Sequence, residues 1–235
     1  MDADQIIANW KRRLIALAEN PPYVYDDTPQ ELIDRHVHRL TTFVGYSDAE
    51  IATAETRLGV QFPIVFRTFL REMAKSPGDL FRGHGLARLP QFEELKTQAL
   101  ELLAETNDTL TLPQDAVVFL FSQGTWFGYV HANGGFDGPA LRWTETEREP
   151  RRLAETFAQA VDDALQQSER ADDLLREQGG YYLTIHPEGG STVLFPARCW
   201  GHRPLDWEKW RKRWRSIWRR ETRALESTTN QSNRS

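Results

Sequence analysis

The sequence predicts an α+β fold, and two observations lead to this prediction. Between residues 3 and 73, apolar side chains recur every three or four positions, as they do along helices that bury one face. From Asp115 onward, the pattern changes to three short β-like segments, AVVFLF, TWFGYVHA and ALRWTE. Helical spacing then returns near residue 153, so the chain contains both kinds of element.

Two amphipathic helices are predicted in an N-terminal extension, residues 1–46. The first, over residues 3–19, is indicated by five apolar residues at helical spacing: Ile6, Ile7, Trp10, Leu14 and Leu17. It should end before Pro21 and Pro22, because proline cannot continue a helix. The second should run from Pro29 to about Thr42, with an inward face of Leu32, Ile33, Val37 and Leu40.

The next two helices are predicted from the signals at their ends. Ser47 and Glu50 make a capping box, in which each side chain satisfies a backbone amide of the other residue. Gly59 can adopt the left-handed conformation that ends a helix. Pro63 is suited to the first turn of the following helix, which should stop at residues 76–78. The two buried faces comprise Ile51, Ala54 and Leu58, then Phe66, Phe69, Leu70 and Met73.

The rest of the chain predicts strands, one long helix and a C-terminal addition. The three strands should be joined by a tight turn at Gln123-Gly124 and a longer turn over residues 133–139. A helix should follow, extending toward Leu175, with Leu153, Phe157, Val161 and Leu165 at helical spacing. The run YYLTIHPEGGSTVLF predicts a hairpin that turns at residues 187–190. Asp206 should cap a tryptophan-rich helix, and residues 226–235 are predicted to be disordered.

Charge is unevenly distributed along the 235 residues, whose formal net charge is −5. Residues 1–47 carry 5 basic and 7 acidic side chains, and residues 48–165 carry 11 and 18. Residues 166–235 carry 13 and 9, so an acidic body precedes a basic C-terminal part. An acidic body repels nucleic acid and anionic lipid and attracts basic partners.

The sequence also favours a reducing compartment. Cys199 is the only cysteine, so no disulfide can form within one chain. The N-terminal segment MDADQIIANWKRRLIALAEN does not have the layout of a signal peptide, because Lys11, Arg12 and Arg13 interrupt its apolar positions. No run approaches the roughly 20 apolar residues that span a bilayer. We therefore expect a cytoplasmic protein.

Two motifs within residues 47–165 point to a known family. The helical motif AETRLG, residues 54–59, is followed by FPIVFRTFL, residues 62–70. The three strands come next, with Asp137, Pro139 and Trp143, and then the helix near Leu153 and Phe157. In this order the features resemble the SUKH superfamily, whose founding fungal members regulate cell-wall synthesis. Two positions depart from the family pattern: Ser76-Pro77-Gly78 replaces a frequent Asn-Gly, and Gly124-Thr125 replaces a common Gly-Asp.

The resemblance implies an α+β domain over residues 47–165, in which helices pack on a twisted, largely antiparallel sheet. It implies no catalytic residues. Many bacterial members are similar to immunity proteins, which bind and neutralise polymorphic toxins. Residues 166–225 would add a helix, a hairpin and the tryptophan-rich basic helix to this domain.

The residues themselves give no sign of an active site, a metal site or a cofactor site. No combination of acid, base and nucleophile can be assembled, and Cys199 with His202 makes at most half a zinc site. His36 and His38 are expected on different faces of their helix. A candidate partner-binding surface is an acidic rim next to a strand: Asp137, Trp143, Glu145, Glu147 and Glu149. An ordinary solvated loop is the alternative interpretation of these glutamates.

The segment DWEKWRKRWRSIWRR, residues 206–220, is an alternative binding surface. On a helix its four indoles would form one narrow stripe opposite the basic side chains. Stacking on nucleic acid needs aromatic and basic residues on one surface, which argues against that partner. A membrane surface, a partner or dimer interface, and packing on its own domain all fit. We favour packing, because exposed indoles promote aggregation. The surface comprises Trp207, Trp210, Arg211, Trp214, Arg215 and Trp218.

These observations favour a non-catalytic protein-binding domain. The resemblance narrows this to an immunity protein that neutralises a basic toxin domain by protein-protein contact. The alternative is a regulatory or scaffold protein, linked to cell-wall or membrane machinery by its tryptophan-rich helix. No nucleic-acid partner is expected, membrane association is disfavoured, and a homodimer stays open.

Overall fold

Six α-helices and eight strands make up the part of the chain that the computed structural model describes, which is residues 2–81, 85–106, 110–122, 125–187 and 191–194. The helices are α1 Ala3–Glu19, α2 Gln30–Thr41, α3 Asp48–Leu58, α4 Ile64–Glu72, α5 Phe92–Thr106 and α6 Phe157–Glu177. The strands are β1 Tyr23–Tyr25, β2 Gly85–Leu86, β3 Ala116–Ser122, β4 Trp126–His131, β5 Ala140–Thr144, β6 Arg151–Ala154, β7 Tyr181–Ile185 and β8 Ser191–Leu194.

Residues 1–193 form one compact unit, and a second unit begins at Leu194. Several predictions lie outside the described residues. They concern the turn at Gln123-Gly124, the pair Cys199 and His202, the tryptophan-rich segment 206–220 and the tail 226–235. Within the described residues, no helix combines the length and the apolar character needed to cross a membrane.

The helix ends follow the local signals in the sequence. The Ser47 backbone amide donates to Glu50 Oε2 at 2.7 Å, and the Glu50 amide donates to Ser47 Oγ at 3.3 Å, so the predicted capping box is present. Gly59 ends α3 with a φ of 66°, a left-handed conformation that glycine adopts without a Cβ clash. Helix α4 begins at Ile64, one residue later than predicted, and Pro63 is its N-cap.

The larger sheet is antiparallel throughout and has five strands in the order β2-β3-β4-β5-β6. A second sheet has three strands in the order β1-β7-β8, and its β1 and β7 run parallel, with Val24 opposite Tyr182. The predicted hairpin strands are therefore neighbours. The α+β class and the largely antiparallel sheet are confirmed.

Two hydrophobic clusters cover opposite faces of the five-stranded sheet. Alternate residues of β4 show this, because Val130 lies in one cluster and Phe127 and Tyr129 lie in the other. The larger cluster combines the strands with α1, α3, α4 and α6, and the smaller one combines them with α5. The sheet is thus a buried layer between helices.

Three elements differ from the sequence predictions. Leu153 was expected to open the long helix, but it lies in β6, which pairs with β5, and α6 begins at Phe157. The four-residue spacing of Leu153 and Phe157 fits a helix, although Leu153 belongs to β6 and Phe157 to α6. Strand β1 and helix α5 were not predicted at all.

The N-terminal helix is part of the main core. Trp10 of α1 is buried, and its ring meets Phe157 of α6 edge to face at a centroid distance of 6.0 Å. The Trp10 indole N–H donates to Asp162 of α6 at 3.1 Å. Arg13 binds Asp162 and Glu169 at 2.9 and 2.7 Å, and this pairing raises the pKa of the Arg13 guanidinium. Helix α1 is therefore fixed on α6 by both apolar and ionic contacts.

Candidate functional site

One histidine–aspartate pair has the outward look of catalytic machinery. His131 at the end of β4 has its Nδ1 3.0 Å from Asp115 Oδ2. Lys96 Nζ donates to the Gln114 carbonyl nearby at 2.5 Å, and burial lowers the pKa of Lys96. To act as a catalytic base, a histidine held in this way would need a nucleophile or a bound substrate at its other ring nitrogen.

Within the described residues, the hydrogen bonds of His131 join it to Asp115 and to no nucleophile. Among the hydrogen bonds of the described residues, none joins His131 to a serine, threonine or cysteine side chain. In the same part of the chain, no group of three or more His, Cys, Asp or Glu side chains could hold a metal ion. The pair fastens the start of β3 to the end of β4, where the Ala132 amide also donates to the Asp115 carbonyl at 2.8 Å.

Trp143 of the predicted acidic rim is a core residue. Its side chain is buried in the smaller cluster and stacks on Phe127 at a centroid distance of 5.6 Å. Side chains alternate along β5, so that Ala140 lies in the larger cluster while Leu141 and Trp143 face the α5 side of the sheet. Its indole is therefore closed to a partner in this conformation.

The three glutamates of the rim do not make the surface acidic. Glu147 Oε1 lies 3.0 Å from Arg151 Nε and 3.7 Å from Arg142 Nη2, and only 8% of the Glu147 side chain is exposed. Glu145 and Glu149 are exposed. Residues 140–155 contain four arginines and four glutamates, so this hairpin carries no net charge. Electrostatic attraction of a basic partner would have to come from elsewhere.

Asp137 holds two elements together. Its half-buried carboxylate accepts hydrogen bonds from the backbone amides of Gly138, Phe157 and Ala158 at 2.8, 3.2 and 3.1 Å. Two of these amides belong to the first turn of α6, whose amides have no acceptor within the helix, and the Phe157 amide also donates to the Gly138 carbonyl at 2.7 Å. Burial raises the pKa of Asp137, and the backbone donors oppose that rise. The structure thus places Asp137 apart from the three glutamates.

The loop of residues 133–138, which contains Asp137, also caps α4. Pro63 offers no side-chain cap. Instead, the Ile64 amide donates to the Gly135 carbonyl at 2.9 Å, and the Val65 amide donates to the Phe136 carbonyl at 3.0 Å. The Gly134 amide donates to the Gln61 carbonyl at 2.8 Å. The loop is therefore fixed to α4, to α6 and to the segment between α3 and α4.

Two large apolar side chains project from this junction. Ile64 is 52% exposed and Phe136 is 49% exposed. An open depression of about 550 Å³ lies between α3 and the end of β4, and the segments that lead to Ile64 and Phe136 contribute Gln61 and Asn133 to its lining, together with Glu55 and Thr56. We call Ile64, Phe136 and this depression the apolar loop surface.

Sequence reasoning missed this surface, although both residues carried a signal. Ile64 lies on the opposite side of the α4 wheel from Phe66, Phe69 and Met73, so a helix that buries those three exposes it. Phe136 is the single large apolar residue in the turn NGGFDGP. What could not be foreseen is that the two are adjacent, because this depends on the hydrogen bonds between α4 and the loop.

The described body carries most of the negative charge. Residues 1–194 contain 18 lysines and arginines and 30 aspartates and glutamates, whereas residues 195–235 contain 11 and 4. The body therefore has a formal net charge of −12 and the C-terminal part has +7. The alternative surface of Trp207, Trp210, Arg211, Trp214, Arg215 and Trp218 belongs to that basic part and lies outside the described residues.

Comparison with known proteins assigns the family. The model of the SMI1 / KNR4 family (SUKH-1) matches residues 45–163, which is about half of the chain. The chain belongs to this family. No curated protein matches it significantly.

The matched range contains most of the fold and the whole apolar loop surface. The SUKH-1 range contains α3, α4, α5 and the five-stranded sheet, and it ends within α6. The apolar loop surface lies entirely inside this range, since it is made by α3, α4 and the loop after β4. Helices α1 and α2 and the β1-β7-β8 sheet lie outside the matched range. A protein-binding role is compatible with the family.

Proposed function

We propose that this SUKH-1 protein is a non-catalytic immunity protein, which binds a basic toxin domain in the cytoplasm and blocks it. The observation that carries the proposal is the net charge of −12 on the body that contains the SUKH-1 domain. Bacterial members of the superfamily resemble immunity proteins, and toxin domains that act on nucleic acid are basic because they bind phosphates. A negative body would steer such a domain toward it and raise the association rate.

The contacts of the described residues support a binding role more than a chemical one. His131 and Asp115 bind each other and fasten two strands, and Asp137 caps α6. These three polar side chains therefore have structural partners. The apolar loop surface has no comparable role in the two hydrophobic clusters, which leaves it available to another molecule.

Co-expression with a toxin tests the proposal. The probe is the toxin domain encoded next to this gene, expressed from an inducible promoter with and without the full chain. Protection of the cells together with a stable purified complex is the expected result. The association rate should fall steeply between about 50 and 200 mM salt, because the attraction is screened. Absence of both protection and complex formation would refute the proposed function.

The basic C-terminal part supports a second candidate function, a scaffold that is recruited to a membrane or to cell-wall machinery. Residues 195–235 carry a net charge of +7 and include the four tryptophans of segment 206–220. Flotation with vesicles that contain 30% anionic lipid would test it, with the full chain compared to a chain that lacks residues 204–225. If the full chain floats with the vesicles and the shortened chain does not, the result favours this function. If neither chain floats, the result counts against it.

A further inference from the structure

The apolar loop surface joins two exposed side chains that are far apart in sequence. The backbones of Ile64 and Phe136 are adjacent, because the amides of Ile64 and Val65 donate to the Gly135 and Phe136 carbonyls. About half of each side chain is exposed. Neither residue belongs to the two hydrophobic clusters, so their apolar area contributes little to folding.

The backbone beneath these two side chains is already ordered. Residues 133–138 are held by Gln61, by the first amides of α4 and by the Asp137 bonds to α6. Binding therefore loses little backbone entropy when a partner covers this surface. An aromatic side chain on a fixed backbone is the kind of residue that dominates the free energy of protein-protein interfaces.

The polar border of the surface has a negative excess. Arg67 lies 2.9 Å from Asp48 and 3.7 Å from Glu55, so two carboxylates share one guanidinium. Glu55 also lines the depression next to Gln61 and Asn133, whose amides can both donate and accept. A lysine or arginine of a partner would meet a favourable charge here, in addition to the net charge of the whole body.

We propose that the apolar loop surface is the docking surface for the partner protein, which places an apolar side chain against Ile64 and Phe136 and basic side chains around them. The proposal rests on the proposed function, because it names the surface through which a basic toxin domain is held. The apolar pair and the negative charge act on different rate constants. The apolar pair slows dissociation, whereas the negative charge speeds association.

Binding kinetics with the neighbouring toxin domain test this proposal. Phe136→Ser and Ile64→Ser should each raise the Kd about tenfold or more, mainly through faster dissociation. Val24→Ser is the matched control, because Val24 is a 65% exposed apolar residue in the other sheet. It should leave the Kd unchanged. Urea unfolding of each variant should remain cooperative, which would show that a change in the Kd comes from the surface and not from loss of the fold.

A pair of charged variants separates the two tasks. Phe136→Asp and Phe136→Arg both remove the aromatic anchor and should both accelerate dissociation. Only Phe136→Arg should also slow association at low salt, because it adds a positive charge to the border.

Each outcome of these measurements has one meaning. If the wild-type chain binds no toxin domain, the docking surface and the proposed function fail together. If it binds and the Phe136 and Ile64 variants bind equally well, the docking surface is overturned and the proposed function stands.

Discussion

The carboxylate of Asp137 ties residues 133–138 to the first turn of α6. Removing it in Asp137→Ala leaves the Phe157 and Ala158 amides without this acceptor, which should lower the free energy of unfolding by about 1–2 kcal/mol. Asp137→Asn keeps one acceptor oxygen and should cost less. Urea unfolding at pH 7 measures both. The control is Glu145→Gln at an exposed position, which should stay within about 0.5 kcal/mol. An Asp137→Ala variant as stable as this control would contradict the assigned role.

His36 of α2 faces Tyr23 and Tyr25 of the smaller sheet. Its Nε2 lies 3.2 Å from the Tyr23 hydroxyl, and its Nδ1 lies 3.4 Å from Arg39 Nη2. Arginine can only donate, so Nδ1 must accept and the proton of the neutral ring belongs on Nε2. Burial lowers the pKa of His36, and Arg39 lowers it further, while Asp79 opposes the change. The rings of Tyr23 and Tyr25 also face His36.

A loss of stability at mildly acidic pH follows from the lowered pKa of His36. The unfolded chain binds the proton more readily than the folded chain does, so the stabilisation is complete above pH 6.5. It is lost as the pH falls through the lower pKa of the folded state. The urea midpoint of the wild-type protein should therefore drop between pH 7.5 and pH 5, and His36→Gln should show a smaller drop. An equal drop in both proteins would assign the effect to other groups.

At the scale of secondary structure elements, local signals predicted the helices with clear ends. The capping box of α3, the glycine after it and the apolar face of α4 involve residues within one or two turns of each other. Such local interactions do not depend on the rest of the fold, so the sequence alone is sufficient to predict these helices. Helix α5 also carried a local signal that was overlooked, because Phe92, Ala99 and Leu103 share one face.

Elements that depend on distant partners were harder to predict. Strand β1 has three residues and exists because it pairs with β7, so that Tyr23 lies opposite Tyr181. Strand β6 is defined by its pairing with β5. Dependence on distant partners also explains why the acidic rim was predicted wrongly as a negative surface. Glu147 is neutralised by Arg142 and Arg151, which the β5–β6 register brings to the same place.

The approach of β1 to the chain before β7 requires a glycine at one position. Gly179 and Gly180 both have positive φ angles, of 94° and 69°. A Cβ on Gly180 would lie 2.7 Å from the Pro22 carbonyl oxygen, whereas one on Gly179 would meet nothing within 4 Å. Gly179→Ala should cost about 1 kcal/mol from strain alone, and Gly180→Ala should cost clearly more.

Urea unfolding and hydrogen exchange would test this difference. In Gly180→Ala, the backbone amides of β1 and β7 should exchange faster than those of β3 and β4. Equal stability losses in the two alanine variants would contradict the close approach of Gly180 to Pro22.

At the scale of the whole molecule, the core extends beyond the SUKH-1 range. The family match begins at residue 45, but Ile7, Trp10 and Leu14 of α1 are buried in the same cluster as α4 and α6. A fragment of residues 45–163 would lose all of α1 and the last two-thirds of α6. It would expose Phe69 and Phe157 to water, because both lie in the cluster that α1 completes.

Residues 1–193 should therefore unfold as one unit that needs α1. Trp10→Ala should lower the free energy of unfolding by about 3–5 kcal/mol, because it removes a buried indole and leaves a cavity beside Phe157. Gln5→Ala, at an exposed position of the same helix, is the control and should be nearly neutral. The fragment 45–163 should show no cooperative urea transition by circular dichroism. A fragment that unfolds cooperatively at the midpoint of the full chain, or a Trp10→Ala variant as stable as Gln5→Ala, would contradict the requirement for α1.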